Sequence, residues 1–275
     1  MAIAGCIQPL GRVACIPPNG EVHGNYPARI SSAITYVGHA TLLVELGGVR
    51  VLTDPALRSR ILHIRRQVPD PPLEELAPLD AIVISHAHHD HLDTGSLRLL
   101  AADCPAIAPR GSGAILRRAG IREVFEVDAG DRVPVGDLVV EAVPALHDGR
   151  RYPFGRRRPA LGYLFEGTPP LYFAGDTDLF PEMRELAGRV DVAALPVGGW
   201  GPRVTEGHLD PARAARAAAL IQPRIAIPIH WGTLAVGSQG AGSGSAAPRA
   251  FVRAAARTAP QVDVRVLAPG ERLSL

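Results

Sequence analysis

The sequence predicts an α/β protein in which two β-sheets pack together with helices on the outside, a four-layered αββα sandwich. Three observations predict this class. Strand-like segments come first, strand and helix segments alternate after them, and the two halves of the chain show comparable patterns. With 275 residues, 47% of them hydrophobic and 20% charged, the chain can bury a sizeable core. We therefore expect residues 33–275 to form one domain, preceded by an N-terminal extension over residues 1–32.

The first half begins with three short strands joined by turns that contain glycine, which predicts an antiparallel meander. These strands are predicted at residues 33–37, 41–46 and 49–53. An apolar run at residues 81–85 is typical of a buried strand, and Asp93 or Thr94 is expected to cap a helix over residues 94–101. Residues 86–93 must therefore form a loop. The remaining elements of this half are a helix over residues 112–119 and strands near Ala106, Val124, Val139 and residues 161–165.

The second half of the chain alternates strands and helices. Strands are predicted at residues 171–174, 192–195, 225–229 and 262–267. Helices are predicted at residues 179–187, 211–220 and 248–257. Between them, residues 237–245 contain mostly glycine and serine, which predicts a mobile loop. Because this loop follows His230, we expect it to close over bound substrate as a lid.

The charge balance excludes some classes of partner. There are 29 basic and 27 acidic residues, a formal net charge of +2, so neither nucleic acid nor an anionic membrane is expected as an obligatory partner. No apolar run approaches the roughly 20 residues that a membrane-spanning helix needs, and no secretory signal is expected at the N-terminus. The three cysteines lie outside the histidine clusters described below. We expect a cytoplasmic enzyme with a small-molecule substrate, and nothing in the sequence indicates its oligomeric state.

The most informative segment is Ser85-His86-Ala87-His88-His89-Asp90-His91-Leu92-Asp93, which directly follows a predicted buried strand. It holds four of the ten histidines and two carboxylates. Neutral imidazole nitrogens and carboxylate oxygens suit zinc and its neighbours, and a loop at a strand end can turn alternate side chains towards one point. His86 and His88 can then bind one ion while Asp90 and His91 face a second.

This pattern resembles the signature of the metallo-β-lactamase superfamily. The resemblance implies further ligands at later strand ends, and all of these positions are filled in order: His147 in Ala145-Leu146-His147, Asp176 in Gly175-Asp176-Thr177, and His230 in Ile229-His230-Trp231. It implies that His86, His88 and His147 bind one metal ion, that Asp90, His91 and His230 bind another, and that Asp176 bridges the two. The ions are expected to be zinc, with manganese as the alternative.

The segments Gly38-His39-Ala40-Thr41 and Gly207-His208-Leu209-Asp210 resemble the branch of this superfamily that contains N-acyl-phosphatidylethanolamine phospholipase D and L-ascorbate-6-phosphate lactonase. A histidine that binds metal usually donates its other N–H to a carboxylate or carbonyl group. Asp54 matches the family aspartate at the end of the third strand and is the expected partner of the ligand histidines. His39 and His208 have no metal role in this pattern, although His208 is a candidate for substrate contact.

The resemblance implies a hydrolase with a dinuclear metal centre. The shared water would be activated as a hydroxide, with Asp176 and Asp90 as the catalytic carboxylates. Five arginines follow His147 and could bind phosphate or another anion. They are Arg150, Arg151, Arg156, Arg157 and Arg158. The leading hypothesis is therefore hydrolysis of a phosphodiester or of a phosphorylated ester or lactone.

Two alternatives stay open. The first is hydrolysis of uncharged esters, thioesters or β-lactams at the same centre. The second, from another class, is an RNA-processing nuclease or nucleic-acid binder. A nuclease of this superfamily would be expected to carry an additional RNA-binding region, and the small net charge also argues against it.

Overall fold

The computed structural model describes residues 32–151, 155–199, 204–236 and 246–275. The predicted N-terminal extension, except for Ser32, and the predicted lid at residues 237–245 lie outside the described residues.

Strands make up most of the regular structure. In chain order they are β1 (Ala33–Gly38), β2 (Thr41–Leu46), β3 (Val49–Thr53), β4 (Arg60–Ile61), β5 (Ile64–Arg66), β6 (Ala81–Val83), β7 (Ala106–Pro109), β8 (Val124–Val127), β9 (Arg132–Val135), β10 (Leu138–Pro144), β11 (Leu161–Glu166), β12 (Leu171–Phe173), β13 (Val192–Pro196), β14 (Ile225–Ile229), β15 (Leu234–Val236), β16 (Asp263–Val264) and β17 (Arg272–Ser274). The helices are α1 (Leu73–Leu76), α2 (Thr94–Leu100), α3 (Gly113–Arg118), α4 (Pro211–Ile221) and α5 (Ala246–Thr258), with a 3₁₀ helix at Pro181–Leu186.

Two seven-stranded sheets form the centre of the fold. The first has the order β17-β1-β2-β3-β6-β7-β8, and the second has the order β16-β14-β13-β12-β11-β10-β9. The predicted meander is confirmed, because β1 pairs antiparallel with β2 and β2 pairs antiparallel with β3. The remaining strands of the first sheet, from β3 to β8, pair in parallel through helical connections.

The core lies between the two sheets, and further apolar layers lie outside each of them. Alternation along β6 shows how one strand serves two layers: Ala81 and Val83 face the core between the sheets, whereas Ile82 packs beneath α2 and α3. On the other side, residues such as Tyr172 pack against α4, α5 and the 3₁₀ helix. The predicted four-layered αββα sandwich is therefore confirmed.

Several elements differ from the sequence prediction. The helix expected over residues 179–187 is a 3₁₀ helix over Pro181–Leu186, bounded by Pro181 at its first position and by Gly188, whose φ of +77° lies in the left-handed region. The strand expected over residues 262–267 shortens to β16. The small sheet β15-β5-β4 was not predicted. Its pairing of Leu234 with Arg66 joins positions far apart in the chain and leaves no local pattern.

Candidate metal centre

The histidine-rich loop between β6 and α2 is fixed by its own backbone and by a helix cap. The N–H of Leu92 donates to the carbonyl oxygen of His88 at 2.8 Å, and Asp93 caps α2 by accepting the N–H of Ser96 at 3.0 Å. His86 and His91 have no exposed surface. The loop therefore directs these side chains into the protein rather than into solvent.

Three strands of the second sheet bring the other candidate ligands to the same place. Strands β10, β12 and β14 run in one direction, because β11 is antiparallel to both β10 and β12, and β13 is parallel to both β12 and β14. Their carboxyl ends therefore lie at one edge of the sheet. His147 follows β10, Asp176 follows β12 and His230 follows β14.

His86, His88 and His147 form one group. Their ligand nitrogens lie within 4.8 Å of one another, and Nδ1 of His88 is 3.2 Å from Nε2 of His147. Nδ1 of His86 contacts Oγ of Ser85 at 3.0 Å, and Nδ1 of His147 contacts the carbonyl oxygen of Gly207 at 2.8 Å. These contacts direct Nε2 of both rings towards the centre of the group. The three histidines that the resemblance assigns to one ion are therefore adjacent.

Asp90, His91 and His230 form a second group, and His39 joins it. One ligand atom from each of these four residues lies within 4.8 Å of the others. Nε2 of His91 is 3.2 Å from Nε2 of His230, whose Nδ1 contacts the carbonyl oxygen of Gly198 at 3.1 Å. The sequence pattern gave His39 no metal role, and its place in this buried group is a difference that only the structure reveals.

Asp176 lies between the two groups. Its Oδ2 is 3.0 Å from Nε2 of His91 and 3.3 Å from Nε2 of His230, both in the second group. The same oxygen is 3.9 Å from Nε2 of His86 in the first group. It is also 3.3 Å from Nε2 of His208, the candidate for substrate contact. This is the position that a carboxylate shared by two ions needs.

Gly175 allows Asp176 to reach this position. A Cβ atom at residue 175 would overlap Cβ of Ser85 and lie 2.8 Å from its Oγ, so a larger residue does not fit. Gly175 also has a φ of +58°, in the left-handed region that glycine adopts without strain. Position 175 therefore requires glycine for two separate steric reasons, the lack of space for a Cβ atom and the left-handed backbone.

Asp54 contacts both the histidine loop and a candidate ligand. Its Oδ1 accepts the backbone N–H of Ser85 at 2.7 Å, and its Oδ2 lies 2.7 Å from Nδ1 of His91. This contact turns Nε2 of His91 towards Asp176. The geometry agrees with the expected pairing of Asp54 with a ligand histidine, and its effect on metal binding stays a prediction.

The first group and Asp90 have the protonation states that metal ligands require. Burial, with help from neighbouring imidazoles, lowers the pKa of His86 well below its usual value and that of His88 to about 4. Burial works against the charged form of Asp90, yet His91, His230 and His39 hold its pKa well below the usual range. The first group therefore presents neutral imidazoles, and Asp90 is an ionised carboxylate.

In the second group, against the effect of burial, Asp176 and Asp90 raise the pKa of His91 well above its usual value and that of His230 to about 9. These two rings would therefore release a proton when a metal ion binds.

One structural observation, separate from the sequence pattern, indicates that these nitrogen and oxygen atoms suit divalent metal ions. Within the described part of the chain, Nε2 of His86 and Oδ1 of Asp176 are buried and have no hydrogen-bond partner. Leaving a buried polar atom without a partner costs about 1–3 kcal/mol of stability. The absence of a hydrogen-bond partner at both atoms therefore needs a physical reason. Imidazole nitrogens and carboxylate oxygens are ligands that zinc and related ions accept, and such ions would satisfy both atoms.

A cavity of about 410 Å³ opens onto these groups. Its polar side includes His88, Asp90, Asp176 and His208. The opposite wall is the β4–β5 hairpin, which contributes Ile61, Leu62, His63 and Ile64. Leu62, at the hairpin turn, is 56% exposed. Ions held by the two groups would therefore face a space with an apolar wall.

The five arginines are not among the residues that line this cavity. Arg151 donates from one guanidinium nitrogen to the carbonyl oxygens of Ala87 and Leu92, at 2.9 Å each, within the histidine loop. Arg158 donates to the carbonyl oxygen of Gly111 at 2.8 Å. Arg150 and Arg157 lie 3.9 and 3.8 Å from the carboxylate of Asp148. The predicted binding of an anion by these arginines, with Arg156, thus gains no support from the cavity lining, and Asp148 partly balances their charge.

None of the helices in the described ranges is long and apolar enough to cross a membrane.

Comparisons with known proteins agree with this geometry. The β-lactamase superfamily domain matches residues 49–231. A UPF0173 metal-dependent hydrolase of Methanopyrus kandleri is 32% identical over 245 residues, which are 86% of this chain and 97% of the relative. The N-acyl-phosphatidylethanolamine-hydrolyzing phospholipase D 1 of Caenorhabditis elegans is 33% identical over 74% of this chain and 65% of its own length. Mycobacterial relatives that also match are covered over 59% of their length.

Among solved structures, Igni18, a metallo hydrolase from Ignicoccus hospitalis, superimposes with a TM-score of 0.67 at 25% identity, covering 89% of this chain and 98% of that chain. The sequence match extends from β3 to the residue after His230, so it includes every candidate ligand. The chain therefore belongs to the metallo-β-lactamase superfamily and is a metal-dependent hydrolase.

Proposed function

We propose that this chain holds two divalent metal ions and hydrolyses a phosphodiester that carries an apolar group. His86, His88 and His147 would hold one ion, Asp90, His91 and His230 the other, and Asp176 both. The observation that carries this assignment is the position of Asp176 Oδ2, which is 3.0 Å from His91 and 3.9 Å from His86 in different groups.

When bound, such ions lower the pKa of a coordinated water towards neutrality and polarise the bond under attack. The protein supplies the orientation and the charge. Asp54 orients His91 through its 2.7 Å contact. Ionised Asp90 and Asp176, the proposed catalytic carboxylates, face the cavity and supply negative charge that attracts the ions.

His208 is the proposed contact to the substrate. Its side chain lines the cavity, and its Nε2 lies 3.3 Å from Oδ2 of Asp176. Its Nδ1 contacts Oγ1 of Thr205 at 3.0 Å and the carbonyl oxygen of Glu206 at 3.2 Å, and these contacts orient the ring. From this position Nε2 can form a hydrogen bond with an oxygen of the substrate.

The apolar wall supports a substrate with an apolar group. Ile61 and Ile64 pair across the β4–β5 hairpin, so their side chains share one face of it. Val236 pairs with Ile64 on the neighbouring strand and extends the same face, with 48% of its surface exposed. Ile61 and Ile64 are already almost fully buried, so an alkyl or acyl chain at this wall would mainly bury the exposed surface of Leu62 at the hairpin turn. The name of the phospholipase D relative from Caenorhabditis elegans supports a phosphodiester linked to such a chain.

One observation favours a second candidate, hydrolysis of uncharged esters or thioesters. The five arginines are absent from the cavity lining, so no guanidinium group there would bind a pendant phosphate group. A phosphodiester does not need them, because its own charge would lie at the metal ions.

Two measurements test the proposal. Elemental analysis of protein reconstituted with zinc or manganese should give two ions per chain, and trace metal only would overturn the dinuclear assignment. Turnover should then be compared between alkyl p-nitrophenyl phosphodiesters and p-nitrophenyl carboxylates of matched chain length, with single-stranded RNA as a third substrate. We expect kcat/KM for the phosphodiesters to rise about fourfold per buried methylene group, which corresponds to about 0.8 kcal/mol. Turnover of carboxylates alone would favour the second candidate, and cleavage of RNA alone would favour a nuclease.

A further inference from the structure

His39 occupies the turn between β1 and β2 and is almost fully buried, with 2% of its surface exposed. Its φ of +58° lies in the left-handed region, which is unusual for a residue other than glycine. The turn is held in place from both sides. The N–H of His39 donates to Oγ1 of Thr233 at 2.8 Å, and its carbonyl oxygen accepts the N–H of His230 at 2.7 Å. The backbone of His39 is therefore fixed to the segment that carries a proposed metal ligand.

The ring of His39 packs inside the second metal-binding group. Its centroid lies 4.0 Å from that of His230 and 5.2 Å from that of His91. Its Nε2 lies 2.9 Å from Oδ2 of Asp90. Nε2 of His91 and Nε2 of His230 lie 3.5 and 3.7 Å from the same oxygen, but they are closer to Asp176, at 3.0 and 3.3 Å. The nearest carboxylate to Nε2 of His39 is therefore Asp90, whereas the nearest carboxylate to Nε2 of either proposed ligand is Asp176.

The chemistry of this contact separates two roles for His39. A carboxylate that binds a metal ion is ionised, and an ionised carboxylate can only accept hydrogen bonds. Nε2 of His39 must therefore carry the proton that it donates. A nitrogen that carries a proton has no lone pair available for a metal ion. Although His39 has the spacing of a fourth ligand, its hydrogen bond to Asp90 is that of a residue that orients a ligand.

We propose that His39 is a positioning residue that fixes the carboxylate of Asp90 and thereby favours occupancy of the second metal site over the first. This inference rests on the proposed dinuclear centre. Hydrogen-bond partners of metal ligands commonly change metal affinity by a factor of about 10–100 when they are removed. The expected effect is confined to one ion, because within the described residues His39 is grouped with Asp90, His91 and His230 and not with His86, His88 and His147.

The test compares His39→Leu, which removes the donor, with His39→Gln, which keeps an N–H donor on a flexible side chain. Both replacements place an ordinary side chain at a φ of +58°, so they share any backbone strain. Zinc binding is measured by elemental analysis after dialysis against buffered zinc, and Co²⁺ absorption spectra report the coordination of each site. Thermal unfolding of the metal-free proteins checks the fold.

We expect two zinc ions in the wild type, close to two in His39→Gln, and one in His39→Leu with the second ion bound at least tenfold more weakly. Equal zinc affinity in His39→Leu and the wild type would overturn the inference while leaving the proposed function intact. Equal loss in both variants would assign His39 as a ligand and would also overturn it. A wild type that binds no divalent metal would overturn the proposed function and this inference together.

If His39→Leu does not fold, His39→Asn replaces it. Asparagine tolerates a left-handed backbone, and its amide is too short to reach Asp90 in place of the ring nitrogen. Retention of both ions in that variant would overturn the inference, and loss of one would support it.

Discussion

Oδ2 of Asp54 lies 2.7 Å from Nδ1 of His91, and neither side chain has any exposed surface. This contact joins the end of β3 to the histidine loop that follows β6. Because Nδ1 of His91 is directed to Asp54, Nε2 of the same ring is directed to Asp176.

Replacing Asp54 with alanine should weaken metal affinity by a factor of about 10–100, because His91 loses the partner that fixes its ring. Competition with a chromophoric chelator measures this affinity. Asp137→Ala is the matched control, since Asp137 is an exposed aspartate in the turn between β9 and β10. Unchanged affinity in Asp54→Ala would show that Asp54 serves only the turn before Pro55.

Replacing Asp176 with alanine should remove most activity and the shared ligand while leaving the fold. The carboxylate lies between the two groups, so its loss affects both ions at once. Elemental analysis and circular dichroism check the two parts of this prediction. A variant that keeps two tightly bound ions would contradict the bridging role.

Gly175→Ala should destabilise the protein more than Gly47→Ala does. Both glycines have a φ of +58°, but a Cβ at Gly47 meets no atom within 4 Å, whereas one at Gly175 overlaps Ser85. We expect about 1 kcal/mol for the shared backbone term at each position. The overlap should add about 1–3 kcal/mol at Gly175, the usual cost of overpacking. Urea denaturation measures the free energy of unfolding of both variants. Equal decreases in the two would mean that Ser85 moves away from the new Cβ at no energetic cost.

Arg151→Ala should lower both stability and metal affinity, whereas Arg157→Ala should change neither. The guanidinium of Arg151 donates to the carbonyl oxygens of Ala87 and Leu92 in the histidine loop, and its removal should cost about 1–3 kcal/mol. Arg157 is largely exposed beside Asp148. Urea denaturation and zinc competition test this. If single replacements of Arg150, Arg156, Arg157 or Arg158 raise KM for a phosphorylated substrate but not for an uncharged one, the anion-binding prediction is confirmed instead.

Leu62→Ser should raise KM about tenfold for a long-chain substrate, as expected when a contact of about 1–2 kcal/mol is lost. A short-chain substrate should be almost unaffected, because it does not reach the β4–β5 hairpin. Leu99→Ser is the control, since Leu99 is similarly exposed, at 51% against 56%, but lies on α2 outside the cavity lining. Equal effects on long and short chains would contradict the role proposed for the apolar wall.

The layers of the fold and the spacing of the ligands within the histidine loop can be predicted from the amino-acid sequence. Both are local properties. Alternation within β6 separates Val83 from Ile82 on opposite faces, and the spacing from His86 to His91 lies within one loop. The resemblance to the superfamily singled out His147, Asp176 and His230, and the predicted strands place each of them just after a strand.

Contacts between side chains that are far apart in the chain depend on the tertiary fold and leave no local pattern in the sequence. His39 lies in a glycine-containing turn with no ligand pattern around it. In the first sheet β2 runs antiparallel to β3 and β3 runs parallel to β6, so this turn lies at the edge where Asp90 follows β6, 51 residues later. The small sheet that forms the apolar wall likewise pairs residues near 65 with residues near 235. Arg151 belongs to an arginine-rich segment whose composition favours anion binding, yet its guanidinium donates to two backbone carbonyls 59 and 64 residues away. Local composition specifies what a side chain can bind, and the fold determines which partner lies within hydrogen-bond distance.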